Sequence, residues 1–139
     1  MDENQLREEI SCNENKIAGY EDESEENSKK IERLKEARDI VKMEEETIED
    51  CKEQWNELSA TVESDLLWYG SNEALAREYI YTIDETDLKG YLDNINITHD
   101  LLCDEITRLE NRNTEIGGLI GALYNIINSL QNEIYKLCN

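Results

Sequence analysis

The chain has 139 residues, of which 35% are charged and only 6% are aromatic, and it contains neither phenylalanine nor proline. Its formal net charge is -20. A surface this acidic argues against nucleic acid and anionic lipid as partners, because both are bound through lysine and arginine. With so much charge and so few aromatic residues, the apolar residues must form narrow stripes on elongated elements, and the composition therefore favours an all-α coiled coil or helical bundle.

The first predicted helical arm spans about residues 2–67, and its apolar residues follow an imperfect seven-residue repeat. Near residues 34–37 a three-residue step replaces a four-residue step, which predicts a change of phase along the arm. Glycine, serine and clustered acids in residues 19–28 leave open either a continuous helix or a break there. The predicted stripe runs through Ile10, Ile17, Tyr20, Ser24, Asn27, Ile31 and Leu34, and after the phase change through Ala37, Val41, Glu44, Ile48, Cys51, Trp55, Leu58 and Val62.

The segment "LLWYGSNEAL", residues 66–75, combines the signals of a helix end and a helix start. Gly70 tolerates left-handed backbone, and Ser71 or Asn72 can cap a following helix. A short connection between two long helices makes them antiparallel neighbours. We therefore predict a turn at residues 68–72 within a single helical-hairpin domain covering residues 1–139.

The second predicted arm, about residues 73–138, carries a regular heptad repeat from Leu88 to Leu137. Alternating steps of four and three residues are the pattern of one stripe along a supercoiling helix. The sequence therefore predicts a long, antiparallel, coiled-coil-like two-helix hairpin. The repeat is Leu88, Leu92, Ile95, His99, Leu102, Ile106, Leu109, Asn113, Ile116, Ile120, Leu123, Ile127, Leu130, Ile134 and Leu137.

If the turn is centred near Gly70, the residue numbers of two residues that face each other across the hairpin add up to about 140. Leu109 is therefore expected near Ile31. The same arithmetic places Asn113 opposite Asn27 and close to Ser24. A polar layer within an apolar seam fixes register at a cost in stability. These three residues are therefore predicted to set the register of the hairpin.

The second arm carries more apolar residues than a single partner helix covers. Such surplus surface indicates a binding face, and we predict that it docks against partner helices. The glycines of "IGGLIGAL" permit either close approach of another backbone or a kink. The predicted partner-binding residues are Tyr91, Ile97, Leu101, Leu119, Tyr124 and Ile126.

The sequence contains no recognisable catalytic or cofactor-binding motif, so we predict neither a catalytic site nor a cofactor. Cys12, Cys51, Cys103 and Cys138 are widely spaced and form no CxxC pair, which argues against a metal site and favours free thiols. His99 is expected at the edge of the seam. The acidic N-terminus lacks the features of a signal peptide, and no window is apolar enough for a membrane span, so synthesis in the cytoplasm is expected.

The order of long helix, Trp68-Tyr69-Gly70, long helix resembles the WxG-type helical hairpins of type VII secretion in Gram-positive bacteria. The acidic first arm and the sequence "LLWYGSNEALAREYI" entering a heptad arm are most similar to the YwqH-like subgroup. The resemblance implies a small, non-enzymatic adaptor or targeting chaperone that binds the helical N-terminal domain of an LXG-type toxin. A second small helical protein is a further possible partner, and Trp68 and Gly70 would form the turn and part of a recognition surface.

Members of this family also carry an export signal near the C-terminus, which consists of a tyrosine followed four residues later by an acidic residue. Tyr135 has Asn139 at that position. This departure implies either that a partner carries the export signal or that the chain is not itself secreted. The alternative function is a structural coiled-coil protein that forms a homodimeric four-helix bundle.

Overall fold

The computed structural model describes the backbone of residues 1–64 and 71–139, and the side chains of these residues except 59, 61–64, 71–74 and 85. The described chain is all-α and has no strand. It comprises α1 (Glu3–Ser64), α2 (Ser71–Thr82), a π-helical segment (Ile83–Leu88) and α3 (Lys89–Cys138). The two long helices pack against each other, so the predicted all-α helical hairpin is confirmed.

The chain divides into two compact units. Unit 1 comprises residues 1–34 and 105–139, and unit 2 comprises residues 35–104. Each unit therefore contains a piece of α1 and a piece of α3.

The N-terminus of α1 is closed by a capping box. The backbone N–H of Gln5 donates to Asp2 Oδ1 over 2.9 Å, and the backbone N–H of Asp2 donates to Gln5 Oε1 over 3.0 Å. These reciprocal bonds satisfy donors that have no partner within the helix. They explain why the helix begins where the sequence predicted the first arm to begin.

Helix α1 continues without interruption through residues 19–28, so the break left open by the sequence does not occur. Two of the clustered acids form ion pairs. Glu25 lies 3.4 Å from Lys29, and Glu23 pairs with Arg112 of α3. Gly19 has open space around it and imposes no turn.

In unit 1 the two helices run antiparallel around an apolar seam. Ile31 and Leu109 lie in one cluster with Ile106, and the half-buried Leu34 packs against it. The proximity of Leu109 and Ile31 expected from the sequence is therefore observed. At the other end of the unit, the Sγ of Cys138 lies 3.9 Å from Glu3 Oε2, so the C-terminus of α3 meets the N-terminus of α1.

The seam of α3 follows the predicted heptad closely. Its positions from Leu88 to Ile134 are all buried or half-buried, and Leu137 alone is exposed, in the last turn. The buried members are Ile106, Leu109, Ile116, Ile127 and Leu130. Helix α3 thus supplies five of the eight buried apolar residues among the described side chains, and α1 supplies the other three.

The predicted phase change of α1 near residues 34–37 is wrong. The least exposed residues continue the first heptad phase without a slip, while the predicted Glu44, Cys51 and Leu58 are exposed. The stripe was misplaced because charged side chains occupy every second seam position of α1 in unit 2, namely Arg38, Glu45 and Lys52. The observed positions are Leu34, Arg38, Val41, Glu45, Ile48, Lys52 and Trp55, all half-buried, with Ala37 half-buried beside them.

The π-helical segment Ile83–Leu88 changes the phase of the second arm, which the sequence predicted as one continuous helix over about residues 73–138. Counting back from Leu88 by the heptad places residue 81 in the seam. Instead Tyr81 is 67% exposed, and Ile80 is half-buried. A π turn accommodates an additional residue, which rotates the preceding α2 so that Ile80 faces inward.

Candidate interaction surface

The predicted polar layer is assembled from both helices of unit 1. Asn27, which is only 7% exposed, donates from Nδ2 to Asn113 Oδ1 over 3.2 Å. Asn113 Nδ2 in turn donates to the backbone oxygen of Ser24 at 3.4 Å and to Ser28 Oγ at 3.2 Å. The structure therefore brings Ser24, Asn27 and Asn113 together and adds Ser28. Their hydrogen bonds offset the desolvation of the amides, and their register-setting role stays a prediction.

An interhelical ion pair flanks this layer. Arg112 Nε and Nη2 donate to the two carboxylate oxygens of Glu23 at 2.9 and 3.2 Å. This two-pronged hydrogen bond lowers the pKa of the Glu23 carboxyl and raises the pKa of Arg112. Both side chains remain partly exposed, so solvent screens the pair and its main effect is on alignment.

Trp68 and Gly70, the predicted turn and recognition motif, lie outside the described residues, as does most of the predicted turn at residues 68–72. The same holds for the segment that joins α1 to α2. The surface considered below therefore rests on other residues.

The six predicted partner-binding residues are divided between the two units. Tyr91, Ile97 and Leu101 belong to unit 2, and Leu119, Tyr124 and Ile126 belong to unit 1. Leu119 is half-buried, and the others are exposed over roughly half or more of their surface. They consequently form two separate sets.

In unit 1 two of the exposed apolar residues, Tyr124 and Ile126, lie in a segment without charge. Residues 116–132 contain no acidic or basic side chain, and Glu115 and Glu133 bound them. Leu119 and Ile126, seven residues apart, share one side of the seam, and Tyr124 lies on the other side. A side chain added at Gly117, Gly118 or Gly121 would meet nothing within 4 Å, and α3 continues through these glycines unbroken.

In unit 2 one side of the helix pair forms an apolar groove, which we call the Tyr91 groove. It has a volume of about 280 Å³, and its lining residues are Val41, Glu44, Tyr91, Asn94, Ile95 and Thr98. Ile40 lies next to Val41 and is 61% exposed, and Leu101 follows Thr98 on the same side of α3 and is 63% exposed. The sequence analysis missed Ile40, although it placed Val41 in the seam and adjacent helical residues point about 100° apart, which puts Ile40 beside the seam.

The opposite side of the unit 2 helix pair is charged. Positions that flank the seam on that side are occupied by Asp39, Lys42, Glu46, Asp93 and Asp100, all of them exposed. Unit 2 therefore presents one apolar and one charged side to solvent.

The described side chains include no group of three or more His, Cys, Asp and Glu residues placed to hold a metal ion. Cys12, Cys51 and Cys138 are exposed free thiols. Cys103 is half-buried, with its Sγ 3.9 Å from His99 Nδ1. His99 is partly exposed at the seam edge, 3.8 Å from the Asp100 carboxylate.

These features define a helical hairpin whose distinctive surfaces are apolar. None of the described helices combines the length and apolar character required to cross a membrane. Comparison with known proteins found no matching family model, no matching curated protein and no matching solved structure.

Proposed function

We propose that this chain is a non-enzymatic adaptor, or targeting chaperone, that binds the helical N-terminal domain of an LXG-type toxin for type VII secretion. The observation that carries the proposal is the set of exposed apolar residues on α3, with Tyr91, Leu101 and Ile126 as clear examples. Solvent-exposed apolar side chains on a helix are suited to packing against further helices. The resemblance of Trp68-Tyr69-Gly70 to the WxG motif supplies the class of partner.

In this function, the chain is synthesised in the cytoplasm, pairs with the toxin's helical domain and accompanies it to the secretion machinery. Binding requires neither a cofactor nor a metal, because apolar burial supplies most of the affinity. A second small helical protein completes the assembly where the toxin domain leaves apolar surface uncovered. The chain is either exported with its partner or released before export.

Co-expression of the chain with the N-terminal domain of an LXG toxin encoded beside it tests this function. We expect a complex that co-elutes in size-exclusion chromatography, with a mass equal to both components by light scattering. Leu101→Glu should weaken the complex, whereas Leu137→Glu, a matched change at an exposed leucine in the last turn of α3, should leave it intact. Two independent peaks at micromolar concentration would contradict the proposal.

The alternative function is a structural protein that forms a homodimeric four-helix bundle. The uncharged segment 116–132 favours it, because two acidic chains can approach each other there without placing like charges in contact. Light scattering of the purified chain separates the two functions. A stable dimer that does not exchange with the toxin domain would support the structural role and contradict the adaptor.

A further inference from the structure

The two units differ in how well they cover their apolar residues. All the fully buried residues among the described side chains belong to unit 1, for example Leu6, Ile17 and Ile116. No described side chain of unit 2 is fully buried. Unit 2 nevertheless contains most of the large apolar side chains that are exposed: Ile40, Met43, Leu58, Leu75, Tyr79, Tyr81, Tyr91, Ile97 and Leu101.

Polar groups weaken the interior of unit 2 further. Trp55 Nε1 and Asp84 Oδ1 are buried and have no hydrogen-bond partner among the described residues. A buried polar atom without a partner destabilises the structure around it, because its hydrogen bonds to water are lost and not replaced. The half-buried charges of Arg38 and Lys52 add to this, since they occupy seam positions that an apolar residue would fill. Unit 2 therefore gains more than unit 1 from an additional helix that covers it.

The charge of unit 2 indicates the chemistry of that helix. Residues 35–104 contain 19 acidic and 6 basic side chains, a net charge of -13, whereas unit 1 carries -7. Glu44 is the charged residue among those lining the Tyr91 groove. Opposite charges across an interface speed association and exclude partners of the same sign.

We infer that the Tyr91 groove of unit 2 binds an amphipathic partner helix whose apolar stripe is flanked by lysine and arginine. The apolar stripe packs on Ile40, Val41, Tyr91, Ile95 and Leu101. The basic side chains of the partner meet Glu44 in the groove and are attracted by the net negative charge of the unit. The result is a three-helix arrangement that completes the core that unit 2 lacks by itself.

This inference rests on the proposed function only in taking the partner to be helical. A second copy of the chain is a poor occupant, because it carries a net charge of -20 and would place like charges on both sides of the groove. A helix fits because Tyr91, Asn94, Thr98 and Leu101 follow one another at steps of three and four along α3 and so form one continuous strip, as in other grooves that accept helices.

Two synthetic peptides test the inference. Both have leucine at the a and d positions of three heptads; one has lysine at the e and g positions, and the other has glutamate there. We expect the lysine peptide to bind the full-length protein in isothermal titration calorimetry and the glutamate peptide not to bind. Equal binding of both peptides, or binding of neither, would overturn the inference.

A pair of matched variants locates the binding. Tyr91→Glu places a charge in the groove, and Tyr135→Glu makes the same change at a tyrosine of unit 1 that is 69% exposed. We expect Tyr91→Glu to weaken binding of the lysine peptide by about 10-fold or more and Tyr135→Glu to change it by less than about 2-fold. Equal weakening would show that binding follows net charge alone and would overturn the assignment of the groove. Circular dichroism of both variants confirms that they remain helical.

Sedimentation of the protein without peptide tests the competing occupant. A dimer that is dissociated by Tyr91→Glu but not by Tyr135→Glu would show that a second copy fills the groove, and the inference would be wrong. Failure of the toxin complex together with success of the peptide experiment would reject the proposed function and leave the groove assignment standing. The reverse outcome would reject the groove and leave the function standing.

Discussion

Replacing Ile127 by alanine is expected to lower the free energy of unfolding by about 2–5 kcal/mol. Ile127 is 4% exposed and belongs to the seam of unit 1. Truncating a buried isoleucine loses its transfer free energy and leaves a cavity that the two helices fill only partly. Urea denaturation followed by circular dichroism measures the loss.

The neighbouring residue supplies the control. Ile126 is 46% exposed, and Ile126→Ala is expected to change the free energy of unfolding by no more than about 0.5 kcal/mol. The two substitutions remove the same atoms from adjacent positions of one helix, so helix propensity cancels in the comparison. Equal destabilisation by both would contradict the assigned heptad phase of α3.

Replacing Glu45 and Lys52 together by leucine is expected to raise the free energy of unfolding by about 2 kcal/mol. Both are half-buried at seam positions of α1, and neither has an ion-pair partner among the described residues. Each leucine buries apolar surface where a charged group is now partly desolvated, at roughly 1 kcal/mol for a half-buried side chain. Glutamate, lysine and leucine have similar helix propensities, so the helix itself changes little.

The matched control for this double variant is Lys42→Leu with Glu46→Leu. It removes the same two charges from positions of unit 2 that are exposed. We expect its free energy of unfolding to lie within about 0.5 kcal/mol of the parent. A larger stabilisation by the control than by the seam variant would contradict the heptad phase assigned to α1.

The seam of α3 could be predicted from the sequence because almost every position in it is apolar. The seam of α1 could be followed only as far as Leu34, because Arg38, Glu45 and Lys52 interrupt it beyond that point. Apolar spacing then led to exposed positions such as Glu44. Burial in a two-helix pair is partial, so long charged side chains occupy seam positions with their charged ends in water.

The π-helical segment had no counterpart in the sequence analysis. Its residues, Ile83–Leu88, contain neither proline nor glycine, and they have no composition that separates a π turn from an α turn. The shift in heptad phase is seen in the exposure of two adjacent side chains, because Ile80 is half-buried and Tyr81 is exposed.

The candidate surface was partly predictable. The surplus apolar residues of the second arm, such as Tyr91 and Leu101, are exposed in the structure as expected. Two features were not predicted: these residues are divided between two units, and Ile40 and Val41 of α1 contribute to the surface. Both follow from which residues of the two helices lie side by side in the structure. The heptad repeat of one helix does not show which residues of the neighbouring helix lie beside it.

The register of the hairpin is tested most directly by a cross-link between its helices. In a protein whose four native cysteines are replaced by serine, Asn27→Cys and Asn113→Cys are introduced together, because the two asparagines are joined by a 3.2 Å hydrogen bond. We predict an intramolecular disulfide on mild oxidation, detected by mass and by faster migration of the non-reduced chain. Asn27→Cys with Ile120→Cys, displaced by one heptad or roughly 10 Å along α3, should form none. Efficient bridging of the displaced pair, or only intermolecular bridging of the first pair, would contradict the antiparallel register of the structure.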